Sequence, residues 1–146
     1  IMNGAYVEGW ARYAEALADE MGLYQTPYAR VGRLAWPARG MVADPGIHLF
    51  GWTRQQAIDF MMESGRFPES MGDEMVDRIA ILPGQLTAYD SGGLEILALR
   101  KMAETAMGED FDIRAFHDRI LENGTIPLVQ LRAHVEAWIA DYEAGK

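Results

Sequence analysis

The chain has 146 residues, of which 49% are hydrophobic and 24% charged, a balance typical of a globular domain rather than a disordered or fibrous chain. Its formal net charge of −9 repels a phosphate backbone and argues against nucleic acid as a partner. The absence of cysteine excludes disulfides, thiol catalysis and cysteine zinc sites, and no apolar run is long enough for a membrane span. We therefore expect a single domain over residues 1–146.

The start of the chain carries neither the charged nor the apolar segment of a signal peptide, and a strong helical pattern begins almost at once. Such a start is typical of a sequence cut from a longer one, so we expect a fragment. The cellular compartment stays open, because any export signal would lie upstream of residue 1.

The stretch 5–21 is predicted to form an amphipathic helix that is central to the packing. With 3.6 residues per turn, its large apolar side chains fall on one stripe: Tyr6, Trp10, Tyr13, Leu17 and Met21. The opposite side collects four charged side chains: Glu8, Arg12, Glu15 and Asp19. From the residues alone, Glu8 has two interpretations. It is an ion-pair partner of Arg12 on a solvated face, or a carboxylate with a function.

Proline and glycine predict the breaks in the section that follows. Pro37 lies within the helical pattern over residues 28–42 and removes a backbone donor, so we expect this helix to be kinked or divided at about Trp36 and not to be one straight rod. The Asp-Pro-Gly sequence at 44–46 predicts a turn. The short segment after this turn holds His48.

Capping patterns predict the start of two further helices. Thr53 with Gln56 forms a capping box that opens a helix ending near residues 64–65. Ser70 opens the next helix, which the Pro-Gly pair at 83–84 interrupts.

The longest periodic stretch runs over residues 85–106 and contains Gly92 and Gly93. Each glycine weakens a helix by about 1 kcal/mol relative to alanine. Two glycines on a buried helix therefore indicate that another backbone or a ligand comes close.

Two helices complete the chain. Asp112 caps one that stops at residues 123–124, and Pro127 at a first-turn position starts the last. No alternating β pattern of useful length and no internal repeat is present. The sequence therefore predicts an all-α fold, an irregular array of about seven helices.

Motifs for a complete active site are weak. The histidines His48, His117 and His134 are far apart and form no HExxH or similar zinc pattern. No nucleophile elbow, phosphate-binding glycine loop or dinucleotide fingerprint is present. The residues alone therefore indicate only an acidic helical domain.

Four stretches carry a family resemblance: AYVEGWARYAEALADEMGLY, ADPGIHLFGWTRQQAIDFM, ILPGQLTAYDSGGLEILALR and FDIRAFHDRILENGTIPL. Together they resemble the bacterial domain-of-unknown-function 885 family, whose members resemble zinc metallopeptidases of the gluzincin type. In that family an upstream HExxPGH motif is followed by a helix reading roughly FVEGWAxYAE. The resemblance covers nearly the whole chain, and the HExxPGH half is not in these residues.

This resemblance implies the C-terminal portion of a gluzincin-like fold that hydrolyses peptides in the intact protein and is inactive alone. Zinc would be held there by two upstream histidines and by Glu8, with Glu15 as the alternative third ligand. His48 and Tyr89 match the positions expected to donate hydrogen bonds to the oxyanion. His117 is interpreted as structural.

Other interpretations stay open. A lone tyrosine on a helix is commonly a core residue with a satisfied hydroxyl, and a lone histidine in a turn is commonly a local cap, so both apply to Tyr89 and His48. The chain could also be a non-catalytic helical interaction module, which self-associates as a homodimer through apolar surface that a missing half would cover. A catalytically inactive relative is a third possibility.

Overall fold

A computed structural model describes residues 3–63, 65 and 68–145, and its description of 33–37 and 69 is limited to the backbone. Over this part of the chain the structure has eight α-helices and no strand, which confirms the predicted all-α class. The helices are α1 Gly4–Glu20, α2 Pro27–Ala38, α3 Gly40–His48, α4 Arg54–Met62, α5 Glu69–Ile81, α6 Gln85–Met107, α7 Ile113–Leu121 and α8 Leu128–Ala144. A short 3-10 turn, Gly108–Asp110, follows α6.

The section between α2 and α4 differs most from the prediction. The helical pattern over residues 28–42 is divided, as one of the two expected outcomes, but at Arg39, three residues after Trp36, and the division raises the number of helices from about seven to eight. The turn predicted at 44–46 is wrong, because these residues lie inside α3. The chain turns after His48 instead, where Gly51 has φ 70°.

Tertiary contacts explain why an Asp-Pro-Gly sequence is helical here. The carboxylate of Asp44 accepts hydrogen bonds from the backbone N–H of Gly84 and of Leu86. Gly46 packs on the indole of Trp52, where an added Cβ would lie 2.6 Å from Cδ2. Both contacts require the compact helical arrangement, so they outweigh the local turn preference.

The predicted capping signals are mostly confirmed. Thr53 and Gln56 form the capping box of α4, and the side chain of Asp112 accepts from the backbone N–H of Arg114 at the start of α7. α4 ends at Met62, and Ser64, where its end was expected, lies outside the described residues.

Two predicted helix starts are shifted along the chain. The prediction of Ser70 as a cap is wrong, because α5 already begins after Pro68, whose extended φ of −63° and ψ of 151° bring the chain into the helix. The break at 83–84 is confirmed, since α5 ends at Ile81 and α6 begins at Gln85. Pro127 is the N-cap of α8 and not a first-turn residue.

The backbone contacts group the chain into two compact units. Unit 1 comprises Ile1–Ala14 with Asp90–Lys146, and unit 2 comprises Glu15–Tyr89. Among the described helices, none combines the length and apolar character that a membrane crossing needs.

Unit 1 is built where α1 crosses α6. The core contains Tyr6 and Tyr13 of α1, with apolar side chains of α6, α7 and α8: Ile96, Leu99, Ala103, Met107, Phe116, Ile120, Leu131, Val135 and Ile139. Gly92 faces the backbone of α1, because an added Cβ there would overlap the carbonyl oxygen of Ala5 and lie 2.7 Å from Cα of Gly9. This confirms that the glycine pair of α6 permits a close approach, and the approaching group is backbone.

The aromatic stripe of α1 is only partly buried. Tyr6 and Tyr13 are buried, and the hydroxyl of Tyr6 donates to the carbonyl oxygen of Ile120 at 2.7 Å. Burial raises the pKa of Tyr6. Met21, predicted on the same stripe, is 67% exposed because α1 ends at Glu20 and the chain turns away there.

Unit 2 has its own small core, formed where α3, α4 and α5 pack together. Its buried apolar side chains are Ala43, Ala57, Met61, Met75, Val76, Ile79 and Leu86. This core positions the last turn of α3, the end of α5 and the start of α6, which carry two of the predicted site residues.

Candidate functional site

Glu8 lies on α1 in unit 1 and is half-buried. The ion pair with Arg12 that its spacing allows does not form. The Nε of Arg12 instead donates to Oδ1 of Asp90 at 2.8 Å. Within the described residues, none forms an ion pair with Glu8. Among the residues that the structure describes, the half-buried carboxylate of Glu8 therefore has no ion-pair partner.

Asp90 explains why Arg12 turns away from Glu8. Both side chains of the Arg12–Asp90 pair are mostly buried, so this ion pair is less screened than an exposed pair one helical turn apart. Glu15, the alternative ligand, is half-buried on the same helix but belongs to unit 2.

His48 is the last residue of α3, and its side chain is 26% exposed. Its Nε2 lies 2.9 Å from the carbonyl oxygen of Ile79 and 3.8 Å from Oδ1 of Asp44. Because a carbonyl oxygen only accepts, we assign the hydrogen of the neutral ring to Nε2. Nδ1 is then an acceptor, and it becomes a donor only in the imidazolium form.

Asp44 is the buried anchor beside His48 and was not singled out from the sequence. It is only 2% exposed, and its two carboxylate oxygens accept from the backbone N–H of Gly84 at 3.0 Å and of Leu86 at 3.2 Å. Leu86 belongs to the first turn of α6 and Gly84 directly precedes this helix, so neither N–H group has an intrahelical carbonyl to bind. Asp44 thereby ties the end of α3 to the start of α6.

Tyr89 is half-buried on α6 and is positioned by Arg78 of α5. The Nη2 of Arg78 donates to the Tyr89 hydroxyl oxygen at 3.2 Å, and its Nε donates to Oε1 of Gln85 at 2.9 Å. Of these two bonds, only the one from Nη2 goes to Tyr89, whose hydroxyl oxygen accepts it. The alternative of a core tyrosine with a satisfied hydroxyl stays a prediction.

The structure brings His48 and Tyr89 to the same end of α5. His48 is bonded to the backbone of Ile79, and Tyr89 to the side chain of the preceding residue, Arg78. Sequence reasoning missed Arg78, Gln85 and Asp44. Gln85 and Asp44 lie within the quoted ILPGQLTAY and ADPGIH stretches, so their position beside the candidate residues was the available signal.

His117 occupies the core of unit 1, in line with its structural interpretation. Its Nε2 is 2.8 Å from the Tyr13 hydroxyl, and the ring of Trp10 lies edge-on to it at a centroid distance of 5.4 Å. Burial and the nearby guanidinium of Arg100 lower the pKa of His117.

A complete metal cage is not formed by the described residues, because no three His, Asp or Glu side chains among them converge on one point. A zinc site built with ligands from elsewhere would need an acidic side chain that is ionised, partly accessible and not already paired. Glu8 meets the last two conditions in the structure, so it fits the role of a single ligand.

The chain is similar to two solved proteins and matches one family model. The structure of the "putative lipoprotein" from Colwellia psychrerythraea is 40% identical with a TM-score of 0.84, over 94% of this chain and 24% of that one. The structure of a "putative lipoprotein of unknown function" from Shewanella oneidensis is 32% identical with a TM-score of 0.72, over 90% of this chain and 25% of that one. No curated protein matches the chain.

The chain thus spans about a quarter of the length of these two solved proteins. The family model described as "Bacterial protein of unknown function (DUF885)" matches residues 1–135, which is most of the sequence. By this match, the chain belongs to the bacterial family of unknown function DUF885.

Proposed function

We propose that this chain is the C-terminal part of a zinc-dependent metallopeptidase, to which it contributes the third metal ligand and the oxyanion donors. By itself it is inactive. The observation that carries the proposal is the half-buried carboxylate of Glu8, which lacks a cationic partner among the described residues although Arg12 is one turn away. A half-buried carboxylate without such a partner is suited to bind a cation that is held by other ligands.

Glu8 takes the place of the glutamate that a gluzincin site receives from its second helix. The other ligands are two histidines of an HExxPGH segment in the remainder of the protein. Bound there, zinc supplies Lewis acidity to a water molecule and to the scissile carbonyl. The rigid α1–α6 crossing at Gly92 holds the backbone that carries Glu8, which favours a fixed ligand position.

Tyr89 is the stronger of the two candidate oxyanion donors. Its oxygen accepts from the cationic guanidinium of Arg78, and a hydroxyl that accepts such a bond becomes a better donor. His48 donates from Nδ1 only as an imidazolium, since its Nε2 is engaged by Ile79. In this scheme Tyr89 is the first hydrogen-bond donor to the oxyanion, and His48 is the second candidate.

The test uses the whole protein with zinc added back after chelation. Zinc content and hydrolysis of a fluorogenic peptide are measured for the wild type, for Glu8→Gln and for Glu15→Gln. We expect Glu8→Gln to lose bound zinc and activity together, while Glu15→Gln retains both. Full zinc occupancy in Glu8→Gln would exclude it as a ligand, and loss confined to Glu15→Gln would assign the role to Glu15.

A second candidate function is a self-associating helical module, and the exposed apolar side chains of unit 2 favour it. Leu49 and Phe50 follow α3 and are largely exposed, as is Ile81 at the end of α5, and the following Leu82 is 45% exposed. Apolar surface of this kind is commonly covered by a second molecule. Sedimentation of the whole protein as a monomer over a wide concentration range would exclude this function.

A further inference from the structure

The charge environment of Arg78 differs from that of the other arginines of unit 2 whose side chains the structure describes. Arg30 pairs with Asp19, Arg39 with Glu63, and Arg54 with both Asp73 and Asp77. Arg78 has no carboxylate partner among the described residues, and both of its hydrogen bonds go to neutral oxygens. In a chain with 22 acidic and 13 basic side chains, a half-buried arginine without an acidic neighbour is poorly explained by fold stability alone.

The guanidinium of Arg78 is held in one orientation with an open edge. Gln85 and Tyr89, one turn apart on α6, accept from its Nε and Nη2. Within the described part of the chain, the buried side-chain nitrogens without a partner are Nε of Arg39 and Nε of Arg119. Nη1 of Arg78 is not one of them and has no hydrogen-bond partner among the described residues, so it is at least partly accessible and can donate to a ligand.

Apolar surface adjoins this open edge. Ile81, the last residue of α5, lies three residues after Arg78 on the same helical face, and Leu82 follows directly after the helix. They are 76% and 45% exposed. A fixed guanidinium beside exposed aliphatic side chains fits a carboxylate attached to an apolar residue, which is the chemistry of a peptide C-terminus.

We propose that Arg78 binds the C-terminal carboxylate of a peptide and that an apolar last residue packs on Ile81 and Leu82. This inference rests on the proposed function and refines its substrate class. Because Arg78 also contacts the candidate oxyanion donor Tyr89, the bound terminus lies close to the reacting peptide bond. Water adds across a bond near the C-terminus, which breaks the C–N bond and releases a shortened peptide and a C-terminal product with a free amine.

Binding is tested separately from hydrolysis, in the whole protein stripped of metal by a chelator so that nothing is cleaved. The probes are a tetrapeptide ending in phenylalanine with a free carboxylate and the same peptide with a C-terminal amide. Titration calorimetry should show the acid binding at least about tenfold more tightly than the amide, as expected for hydrogen bonds to a charged group. Equal affinities, or no binding of either peptide, would overturn the proposal.

Variants assign the preference to Arg78. Arg78→Gln should bind acid and amide equally and retain the wild-type affinity for the amide, which shows that the variant is folded. Arg78→Lys should recover part of the preference, because it restores the charge but not the planar fork. Arg54→Gln is the matched control, since this arginine is exposed and bonded to Asp73 and Asp77. Retention of the preference in Arg78→Gln, or its loss in Arg54→Gln, would refute the assignment.

Hydrolysis by the zinc-loaded protein separates the two proposals. Cleavage of the peptide with a free carboxylate, and not of the peptide amide, supports both the peptidase function and the role of Arg78. Equal cleavage of the two peptides keeps the peptidase function and overturns the role of Arg78. A clear binding preference without cleavage of either peptide keeps the carboxylate site and counts against the peptidase function.

Discussion

The hydroxyl of Tyr13 and Nε2 of His117 are 2.8 Å apart in the core of unit 1. Tyr13 is fully buried, and His117 is half-buried against the rings of Trp10 and Phe116. This hydrogen bond joins α1 to α7 and is surrounded by the rings of Trp10 and Phe116. Its geometry suits a neutral imidazole, because burial and Arg100 both disfavour a positive charge there.

The pH dependence of stability should report the half-buried imidazole of His117. Its pKa in the folded state is lowered from the ordinary value of 6.5, so between the two pKa values the unfolded state binds more protons. The contribution of His117 is therefore complete above about pH 6.5 and is lost as the pH falls through that value towards the folded pKa. Thermal melts between pH 8 and pH 5 should show this decrease, and His117→Gln should reduce its slope.

Tyr13→Phe distinguishes the contribution of the hydrogen bond from that of His117 titration. The variant lacks the hydroxyl but keeps the imidazole of His117. The free energy of unfolding should therefore fall by about 1 kcal/mol at every pH, while its dependence on pH persists. An unchanged slope in His117→Gln would contradict the assignment of the pH dependence to this residue.

The α1–α6 crossing should not tolerate a side chain at Gly92. An added Cβ would overlap the carbonyl oxygen of Ala5, and both groups belong to helix backbones that cannot move independently. We expect Gly92→Ala to destabilise the fold by about 3 kcal/mol or more, as overpacking of a rigid contact does. Gly32→Ala on α2 is the control, because no atom lies within 4 Å of its Cβ, and it should be neutral or stabilising by up to about 1 kcal/mol. Urea denaturation measures the free energy of unfolding of both variants. Similar values for Gly92→Ala and Gly32→Ala would contradict the close contact of the α1 and α6 backbones.

Removing the carboxylate of Asp44 should lower the free energy of unfolding. Asp44→Ala leaves the backbone N–H groups of Gly84 and Leu86 without their acceptor in a buried setting, and we expect a loss of about 2–4 kcal/mol. Asp44→Asn keeps one acceptor oxygen and should lose less. Asp59→Asn serves as the control, since Asp59 is exposed and bonds only Gln55 among the described side chains, and it should change stability by less than about 0.5 kcal/mol. Chemical denaturation measures the free energies of unfolding, and equal values for Asp44→Ala and Asp59→Asn would contradict this role of Asp44.

Tyr89→Phe should affect catalysis in the whole protein more than substrate binding. Loss of one oxyanion donor typically lowers kcat by about 10²–10³-fold, with a small change in KM. Tyr28→Phe is the control, because Tyr28 is 89% exposed and its loss should leave both constants unchanged. A kcat within twofold of the wild type in Tyr89→Phe would remove it from the oxyanion site.

Features that depend on a few neighbouring residues could be predicted from the sequence alone. The capping box of Thr53 and Gln56, the Asp112 cap and the break at 83–84 were predicted correctly, because each involves groups that lie within four residues of one another. The close approach at Gly92 was also predicted, since only glycine permits it, although its partner was not. Glu8, His48 and Tyr89 were selected as site residues through the family resemblance, and their roles stay predictions.

Only the tertiary structure decided which polar groups meet. Asp44 lies in a sequence that locally favours a turn, yet its partners 40 and 42 residues away keep it in a helix. Arg12 selects Asp90, 78 residues away, over Glu8 one turn along the same helix, and so leaves Glu8 unpaired among the described residues. The physical reason is common to both. A charge that is removed from water gains most from the partner that packing places against it, and sequence distance does not determine that packing.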